Sequence, residues 1–156
     1  MTAPLFSTPA HIYNVAVAAD DIDDYGHANN AAYVKWMNDC AWAHSAALGF
    51  DFTAYEQYGC GFVVMRHRID YLGAAFQGDD LTVATWVIEN DGRLRCARAF
   101  EITRGPDGAR LLLAMTSFAC VDLKTGAPKR MPTAYAEGYP VMAPTEEIAA
   151  FKARFA

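Results

Sequence analysis

The side chains best suited to chemistry lie in one short polar stretch, residues 21–33, directly ahead of the longest apolar helical segment of the chain. The stretch contains three carboxylates and one imidazole: Asp21, Asp23, Asp24 and His27. A helix start offers backbone N–H groups without partners and a dipole that favours negative charge. A carboxylate there suits ester-type hydrolysis, because it can activate water or attack a carbonyl while N–H groups hold the oxyanion. Those groups would come from the first helical residues: Asn30, Ala31 and Ala32.

The helix that must position this turn is predicted over residues 30–48. This segment has no Pro or Gly and is rich in Ala, with Asn29 or Asn30 as the N-cap and Gly49 as the stop. Its clearly polar residues form one narrow stripe, and the remaining apolar arc is too wide for a single neighbouring element to cover. We therefore expect a sheet to enclose the helix.

Five runs of β-branched and aromatic residues predict strands, over 11–18, 60–72, 80–89, 94–104 and 110–123. The last three are separated by short turns that contain Asn90-Asp91-Gly92 and Gly105-Pro106-Asp107-Gly108, and such short connections make antiparallel neighbours. Residues 51–58 are expected to form a polar and aromatic connection. The order of elements predicts an α+β fold in a single domain over residues 1–156, with a core over 11–132 and a C-terminal extension that ends in a short helix, 145–155.

Composition excludes several classes of function. A chain of 156 residues with 53% hydrophobic content can bury one core, and a net charge of -5 argues against nucleic acid or anionic membrane as a partner. No window approaches the roughly 20 apolar residues of a membrane span, and the first residues lack a secretory-signal pattern, so we expect a cytoplasmic protein. The four widely spaced cysteines predict no metal site and no redox couple, but four mostly buried thiols: Cys40, Cys60, Cys96 and Cys120.

The pattern Asp-x-Asp-x-x-Gly-His-x-Asn-Asn-x-x-Tyr over residues 21–33, followed by a long helix and four strands, resembles the hotdog-fold acyl-CoA thioesterases of the 4-hydroxybenzoyl-CoA thioesterase-like superfamily. Tyr71 ending a strand before Gly78-Asp79-Asp80-Leu81, and Lys129-Arg130-Met131-Pro132 closing the last strand, agree with it. The resemblance covers residues 13–132. Its Gly-His-x-Asn-Asn form is closer to the long-chain and broad-specificity branches than to the hydroxybenzoyl branch.

The resemblance implies hydrolysis of an acyl-CoA substrate without a metal or other cofactor. It implies an antiparallel sheet wrapped around the helix, and a homodimer or homotetramer whose active sites lie at a subunit interface. In the family pattern the second Asp of the Asp-x-Asp pair is the catalytic carboxylate, which places that role on Asp23, as general base or as nucleophile. The oxyanion contact comes from the amide that aligns with Asn30. Asp21 and Asp24 are then structural.

Several side chains near these positions have more than one interpretation. His27 is a candidate for orienting Asp23, for binding the thioester carbonyl, or for capping the turn. Four aromatic residues are candidates for the wall of an acyl pocket, although each is also typical of a plain core: Tyr33, Trp36, Phe62 and Tyr71.

Three alternatives remain at this stage. The acidic residues of the turn also suit a cap without chemistry. A hotdog hydratase or dehydratase would pair a carboxylate with a His on the central helix, but His44, beside Ser45, has no carboxylate at matching spacing. A non-catalytic acyl-binding or dimerisation module would use the same fold, and Asp23 argues against it because a carboxylate near an acyl pocket is unfavourable unless it is paired or used.

Overall fold

The computed structural model describes residues 3–156 and contains one five-stranded antiparallel sheet with helices on both faces. The strands are β1 (His11–Ala16), β2 (Cys60–Tyr71), β3 (Asp80–Asn90), β4 (Arg95–Arg104) and β5 (Arg110–Asp122). The helices are α1 (Asn30–Ala47), α2 (Phe52–Tyr58), α3 (Thr133–Gly138) and α4 (Thr145–Ala153). The strand order is β1-β3-β4-β5-β2, and every neighbouring pair is antiparallel. The predicted α+β class is confirmed.

Helix α1 lies against one face of the sheet, as its wide apolar arc predicts. Asn29 caps it, since its Oδ1 accepts from the N–H of Ala31 at 2.8 Å, and Gly49 at φ 93° follows its end. The core between α1 and the sheet consists of fully buried side chains from both: Met37, Cys40, Val83, Phe100, Ile102 and Leu112. This packing fixes the position of the helix start, where the candidate chemistry lies.

The opposite face of the sheet is covered by α4 and the N-terminal segment. Ile148 and Phe151 of α4 pack with Phe6 against Trp86 and Leu113 of the sheet. The guanidinium of Arg154 donates to Asp70 of β2 at 2.7 Å. Both faces are therefore covered, which agrees with the near-continuous burial of residues along β3 and β4.

Two short helices form in segments for which the sequence predicts no helix. The prediction for residues 51–58 is wrong: the Asp51 carboxylate caps α2 by accepting from the N–H of Ala54 at 2.9 Å, and Gly59 ends it at φ 73°. Helix α3 follows Pro132. The two helices meet at Tyr135, whose hydroxyl donates to the carbonyl of Cys60 at 2.8 Å.

Strand β2 lies at one edge of the sheet, paired only with β5. Val63, Val64 and Met65 are exposed on it, Met65 to 59%. The register against β5 shifts between Val64 and Arg66, so Met65 forms a bulge. Across residues 3–156, no helix is long and apolar enough to cross a membrane.

Candidate active site

The acidic turn is closed by its own backbone. The N–H of Asp23 donates to the carbonyl of His27 at 3.2 Å, and the N–H of Gly26 donates to the carbonyl of Asp23 at 2.9 Å. Ile22 and Ala28 form an isolated antiparallel bridge. Gly26 has φ 84°, a conformation that side-chain-bearing residues rarely adopt. The turn thus holds Asp23 beside the residues that lead directly into α1.

The carboxylate of Asp23 is half-buried and has one free oxygen. Its Oδ1 accepts from the N–H of Tyr25 at 2.9 Å, which orients the carboxylate. Its Oδ2 accepts no hydrogen bond from residues 3–156, and Asp23 takes part in no ion pair there. A fixed carboxylate with a free oxygen is the arrangement that a base or nucleophile needs.

The other two carboxylates of the turn differ from Asp23. Asp21 holds the backbone on both sides of the turn: its Oδ2 accepts from the N–H of Ala18 at 2.9 Å, and its main-chain carbonyl accepts from the N–H of Asn29 at 2.8 Å. Asp24 is exposed to solvent. The first therefore supports the turn, and the second offers a matched surface control for Asp23.

The start of α1 presents one backbone N–H without an acceptor. The N–H of Ala31 donates to Asn29 Oδ1 at 2.8 Å, and that of Ala32 donates to the carbonyl of Asn29 at 2.9 Å. Within the described chain, the N–H of Asn30 donates to nothing. An oxyanion beside Asn30 would thus meet a free donor and the positive end of the helix dipole. The N–H of Ala31 could donate to it only after its hydrogen bond to Asn29 Oδ1 is broken.

His27 contacts aromatic rings. It stacks on Tyr25 with ring centroids 6.0 Å apart and meets the edge of Phe76 at 6.3 Å. Its ring makes no hydrogen bond to residues 3–156, so the side chain does not cap the turn, and only the backbone carbonyl closes it.

Three of the four predicted pocket aromatics come together at the start of α1. Tyr33 meets Trp36 with centroids 5.1 Å apart and Tyr71 at 5.4 Å, both edge-on. The Tyr71 hydroxyl donates to the carbonyl of Asn30 at 3.3 Å. Burial raises the pKa of Tyr33, although the N–H of Ala75, which donates to its hydroxyl at 3.0 Å, and the Arg104 charge act in the opposite direction.

Phe62, the fourth aromatic, lies elsewhere. It lines a cavity of about 250 Å³ at the C-terminal half of α1, together with Trp42, Arg98 and Tyr139. The structure therefore separates the predicted acyl-pocket residues into a cluster at the reactive turn and one residue in this second cavity.

His44 does not form a carboxylate–histidine pair. Its Nδ1 is 2.7 Å from Arg98 NH1, and its ring stacks on His11 at 4.8 Å. No carboxylate in residues 3–156 bonds to it, and burial, aided by the Arg98 charge, lowers the pKa of His44 to about 4. The arrangement expected of a hydratase is thus not present in the described part of the chain.

Comparison with known proteins identifies the family. The sequence profile of the thioesterase-like superfamily matches residues 17–143. The chain belongs to this superfamily. The family predicted from the turn motif is confirmed, and so is the prediction of a thioester hydrolase at the level of the family. This thioesterase-like protein is 28% identical over 111 residues to the long-chain acyl-CoA thioesterase FadM of Escherichia coli (strain K12), over 71% of its own length and 83% of FadM.

Solved structures share the fold. A 1,4-dihydroxy-2-naphthoyl-CoA thioesterase from Synechocystis superposes with a TM-score of 0.75 at 17% identity, over 83% of the thioesterase-like protein and 95% of the other chain. A Staphylococcus aureus protein solved in complex with CoA superposes with a TM-score of 0.73 at 16% identity, over 95% of the thioesterase-like protein and 84% of the other chain. The predicted hotdog fold is confirmed.

The second cavity contains residues that sequence reasoning did not assign. Arg98 of β4 is buried there beside His44 and Ser45. One signal in the sequence was available: Arg98 is a single charge in the otherwise apolar run Cys96–Phe100 of β4. A lone charge at the centre of a strand that is buried on both faces indicates an internal polar site.

Proposed function

We propose that this protein hydrolyses acyl-CoA thioesters, with Asp23 as the reacting carboxylate and the N–H of Asn30 as an oxyanion donor. One observation carries the proposal: a closed turn holds Asp23, with a free oxygen, beside a helix start whose first N–H has no acceptor in residues 3–156. Membership of the thioesterase-like superfamily supports it. The relative FadM, a long-chain acyl-CoA thioesterase, and the fold neighbour solved with CoA support the substrate class.

The reaction balances with water as the only co-reactant. In the general-base route, Asp23 takes a proton from water, and the water oxygen bonds to the thioester carbon. The carbonyl electrons move onto oxygen, where the Asn30 N–H and the helix dipole stabilise them. The carbon–sulfur bond then breaks, and the CoA thiolate leaves and takes up the proton. The products are the free acid and CoA.

Asp23 also suits the role of nucleophile. In that route its Oδ2 attacks the carbonyl, the thiolate leaves, and the resulting mixed anhydride is hydrolysed by water. Rapid quenching during a single turnover, followed by mass spectrometry of the protein, detects an acyl group bound covalently to it. An acyl adduct on the unmodified protein that is absent from Asp23→Asn assigns the nucleophilic route.

The main test measures thiol release over a panel of acyl-CoAs for Asp23→Asn. Asparagine keeps the oxygen that accepts from the Tyr25 N–H, so the turn stays closed, while the base is lost. We expect kcat/KM to fall by about 10²–10⁴. Asp24→Asn, an exposed neighbour in the same turn, should retain activity.

A folded Asp23→Asn variant with near-normal turnover would contradict the assignment of Asp23. If the unmodified protein binds acyl-CoAs of every chain length without releasing thiol, the hydrolase proposal fails and an acyl-binding module remains.

We further propose that the active unit is a dimer, or a tetramer built from dimers, joined at β2, with its sites at the subunit interface. The support is the exposed apolar edge at Val63, Val64 and Met65. An unprotected edge strand of this kind pairs readily with another strand. Two copies related by a two-fold axis would extend both sheets into one.

A further inference from the structure

The cavity that contains Phe62 is separate from the reactive turn in one chain. It lies between the C-terminal half of α1, the first residues of β2 and the middle of β4, and Ala41, Phe62 and Phe118 contribute apolar wall. Trp42 and Val64 line it and are exposed, so it opens to the surface beside them. Its volume of about 250 Å³ is just below the roughly 300–1,000 Å³ of sites for drug-sized ligands, which suits a small organic group.

One buried charge lines this cavity. Arg98 is only 5% exposed, and none of the ion pairs in residues 3–156 includes it. A guanidinium stays protonated inside proteins, and a buried charge is unfavourable unless it is paired. The protein thus keeps a cation without an anionic partner at the wall of this cavity.

The groups bonded to Arg98 carry no negative charge. Its NH1 donates to His44 Nδ1 at 2.7 Å, and its NH2 donates to Ser45 Oγ at 3.5 Å. Its Nε makes no hydrogen bond in the described chain. Every fully buried side-chain nitrogen or oxygen there has a partner, so this Nε must reach the open space that Arg98 lines.

Ser45 supplies a second donor at the same end of the cavity. Its Oγ accepts from Arg98 and from the hydroxyl of Tyr139 at 2.9 Å, and the hydroxyl of Tyr55 is 2.7 Å from that of Tyr139. Burial raises the pKa of both tyrosines, which therefore stay neutral. With two lone pairs occupied, the Ser45 hydroxyl hydrogen is left for a further acceptor, and it donates to none in residues 3–156.

The proposed dimer brings this cavity to the reactive turn of the other copy. Within one chain, Asn38, the first α1 residue of the cavity, lies eight residues after Asn30, about 12 Å along the helix. The start of β2 lines the cavity at Phe62, and its end touches the helix start through Tyr71. Two-fold pairing of β2 edges is antiparallel, so the start of one strand lies beside the end of its partner.

We propose that this cavity binds the far end of the acyl group, and that Arg98 and Ser45 recognise a carboxylate there. The substrate class is then the ω-carboxyacyl-CoAs, the mono-CoA thioesters of dicarboxylic acids. The proposal rests on the thioesterase function above and narrows it. An acyl chain would cross the interface, with its thioester at the turn of one copy and its carboxylate in the cavity of the other.

The test compares three substrates of equal chain length on the unmodified protein: adipoyl-CoA, its terminal methyl ester and hexanoyl-CoA. We expect kcat/KM for adipoyl-CoA to exceed that for hexanoyl-CoA by roughly 10²-fold, the typical worth of a buried, hydrogen-bonded charge pair. Equal rates, or a preference for hexanoyl-CoA, overturn the proposal. If the methyl ester reacts as fast as adipoyl-CoA, the protein does not recognise the charge of the terminal carboxylate, and that part of the proposal is wrong.

Variants locate the recognition. Arg98→Met should abolish the preference for adipoyl-CoA over hexanoyl-CoA, while Arg98→Lys should keep part of that preference. Arg95→Met, an exposed cation on the same strand, is the matched control. If Arg98→Met is folded, as its melting curve would show, and lowers kcat/KM for both substrates equally, then Arg98 is structural and the proposal is wrong.

Binding separates this proposal from the thioesterase function. In the Asp23→Asn background, adipoyl-CoA and hexanoyl-CoA bind without turnover, and quenching of Trp42 fluorescence at the cavity measures both affinities. Tighter binding of adipoyl-CoA that disappears with Arg98→Met supports the cavity even where no acyl-CoA is hydrolysed. Equal affinities contradict it even where hydrolysis is fast.

Discussion

The free N–H of Asn30 can be removed without disturbing the helix. Asn30 is the first residue of α1, the position where proline is well tolerated because no intrahelical partner is lost. Asn29 before it has φ -62° and ψ 144°, a conformation that a following proline favours. Asn30→Pro should therefore lower kcat by about 10²–10³ with little change in melting temperature.

Asn30→Ala is the matched control for that prediction, since it removes the side chain and keeps the N–H. Thiol release by the two variants measures the contribution of the backbone donor alone. Equal loss in both variants would assign the effect to the side chain instead, and unchanged turnover in Asn30→Pro would remove Asn30 from the oxyanion site.

His44 should make stability depend on pH. Burial, aided by the Arg98 charge, lowers the pKa of His44 from 6.5 to about 4. The folded pKa lies below the unfolded one, so the neutral ring stabilises the fold fully above pH 6.5, and this contribution is lost as the pH falls toward 4. Urea unfolding across this window should show a steeper loss for the unmodified protein than for His44→Gln. The carboxylates contribute the same pH dependence to the free energy of unfolding of both proteins, so any difference between them comes from His44. If the free energy falls equally with pH in both, the lowered pKa of His44 is contradicted.

The secondary-structure elements that the sequence predicts correctly are those set by local signals. Helix α1 begins and ends where Asn29 and Gly49 place it, because caps and an uninterrupted apolar run are local signals. The bulge at Met65 has no such signal, since it depends on the register that β5 imposes. Helix α2 has a cap in Asp51, but a helix of seven residues needs tertiary contacts to persist.

The contact that holds α2 on the sheet depends on a glycine. A Cβ on Gly61, at the start of β2, would collide with the ring of Tyr55. Gly61→Ala should therefore lower the free energy of unfolding by about 1–3 kcal/mol, measured in urea. Tyr55→Leu removes the ring, so the same Gly61→Ala change should cost less in that background. An equal cost in both backgrounds would contradict this packing.

The sequence predicts the reactive turn but not the cavity that contains Arg98. Asp23 and Asn30 lie seven residues apart, and their motif is continuous along the chain. The cavity joins Ser45, Phe62, Arg98 and Tyr139, which are brought together only by the folded sheet and helices. The burial of Arg98 results from tertiary packing. The residues next to it in the sequence therefore do not predict its role in recognition.

The edge of β2 should determine the oligomeric state. Met65 is the most exposed apolar side chain of that edge, and a lysine in its place would put a charge where two copies meet. Met65→Lys should shift the mass measured by sedimentation from the dimer or tetramer to the monomer and lower thiol release. Ile12→Lys, at an exposed apolar residue of β1 on the opposite edge of the sheet, should change neither. A monomeric unmodified protein with full activity would exclude the interface.

Complementation tests whether the reactive turn and the cavity of one site belong to different copies. Asp23→Asn and Arg98→Met are each expected to lose adipoyl-CoA hydrolysis as pure dimers. In a heterodimer of the two, one site combines the intact Asp23 of one copy with the intact Arg98 of the other, and the second site has neither. Random mixing makes half of the dimers heterodimers, so unfolding and refolding the two together should restore about a quarter of the original activity. If both residues of a site came from one copy, no site in the mixture would be complete, and activity would not return.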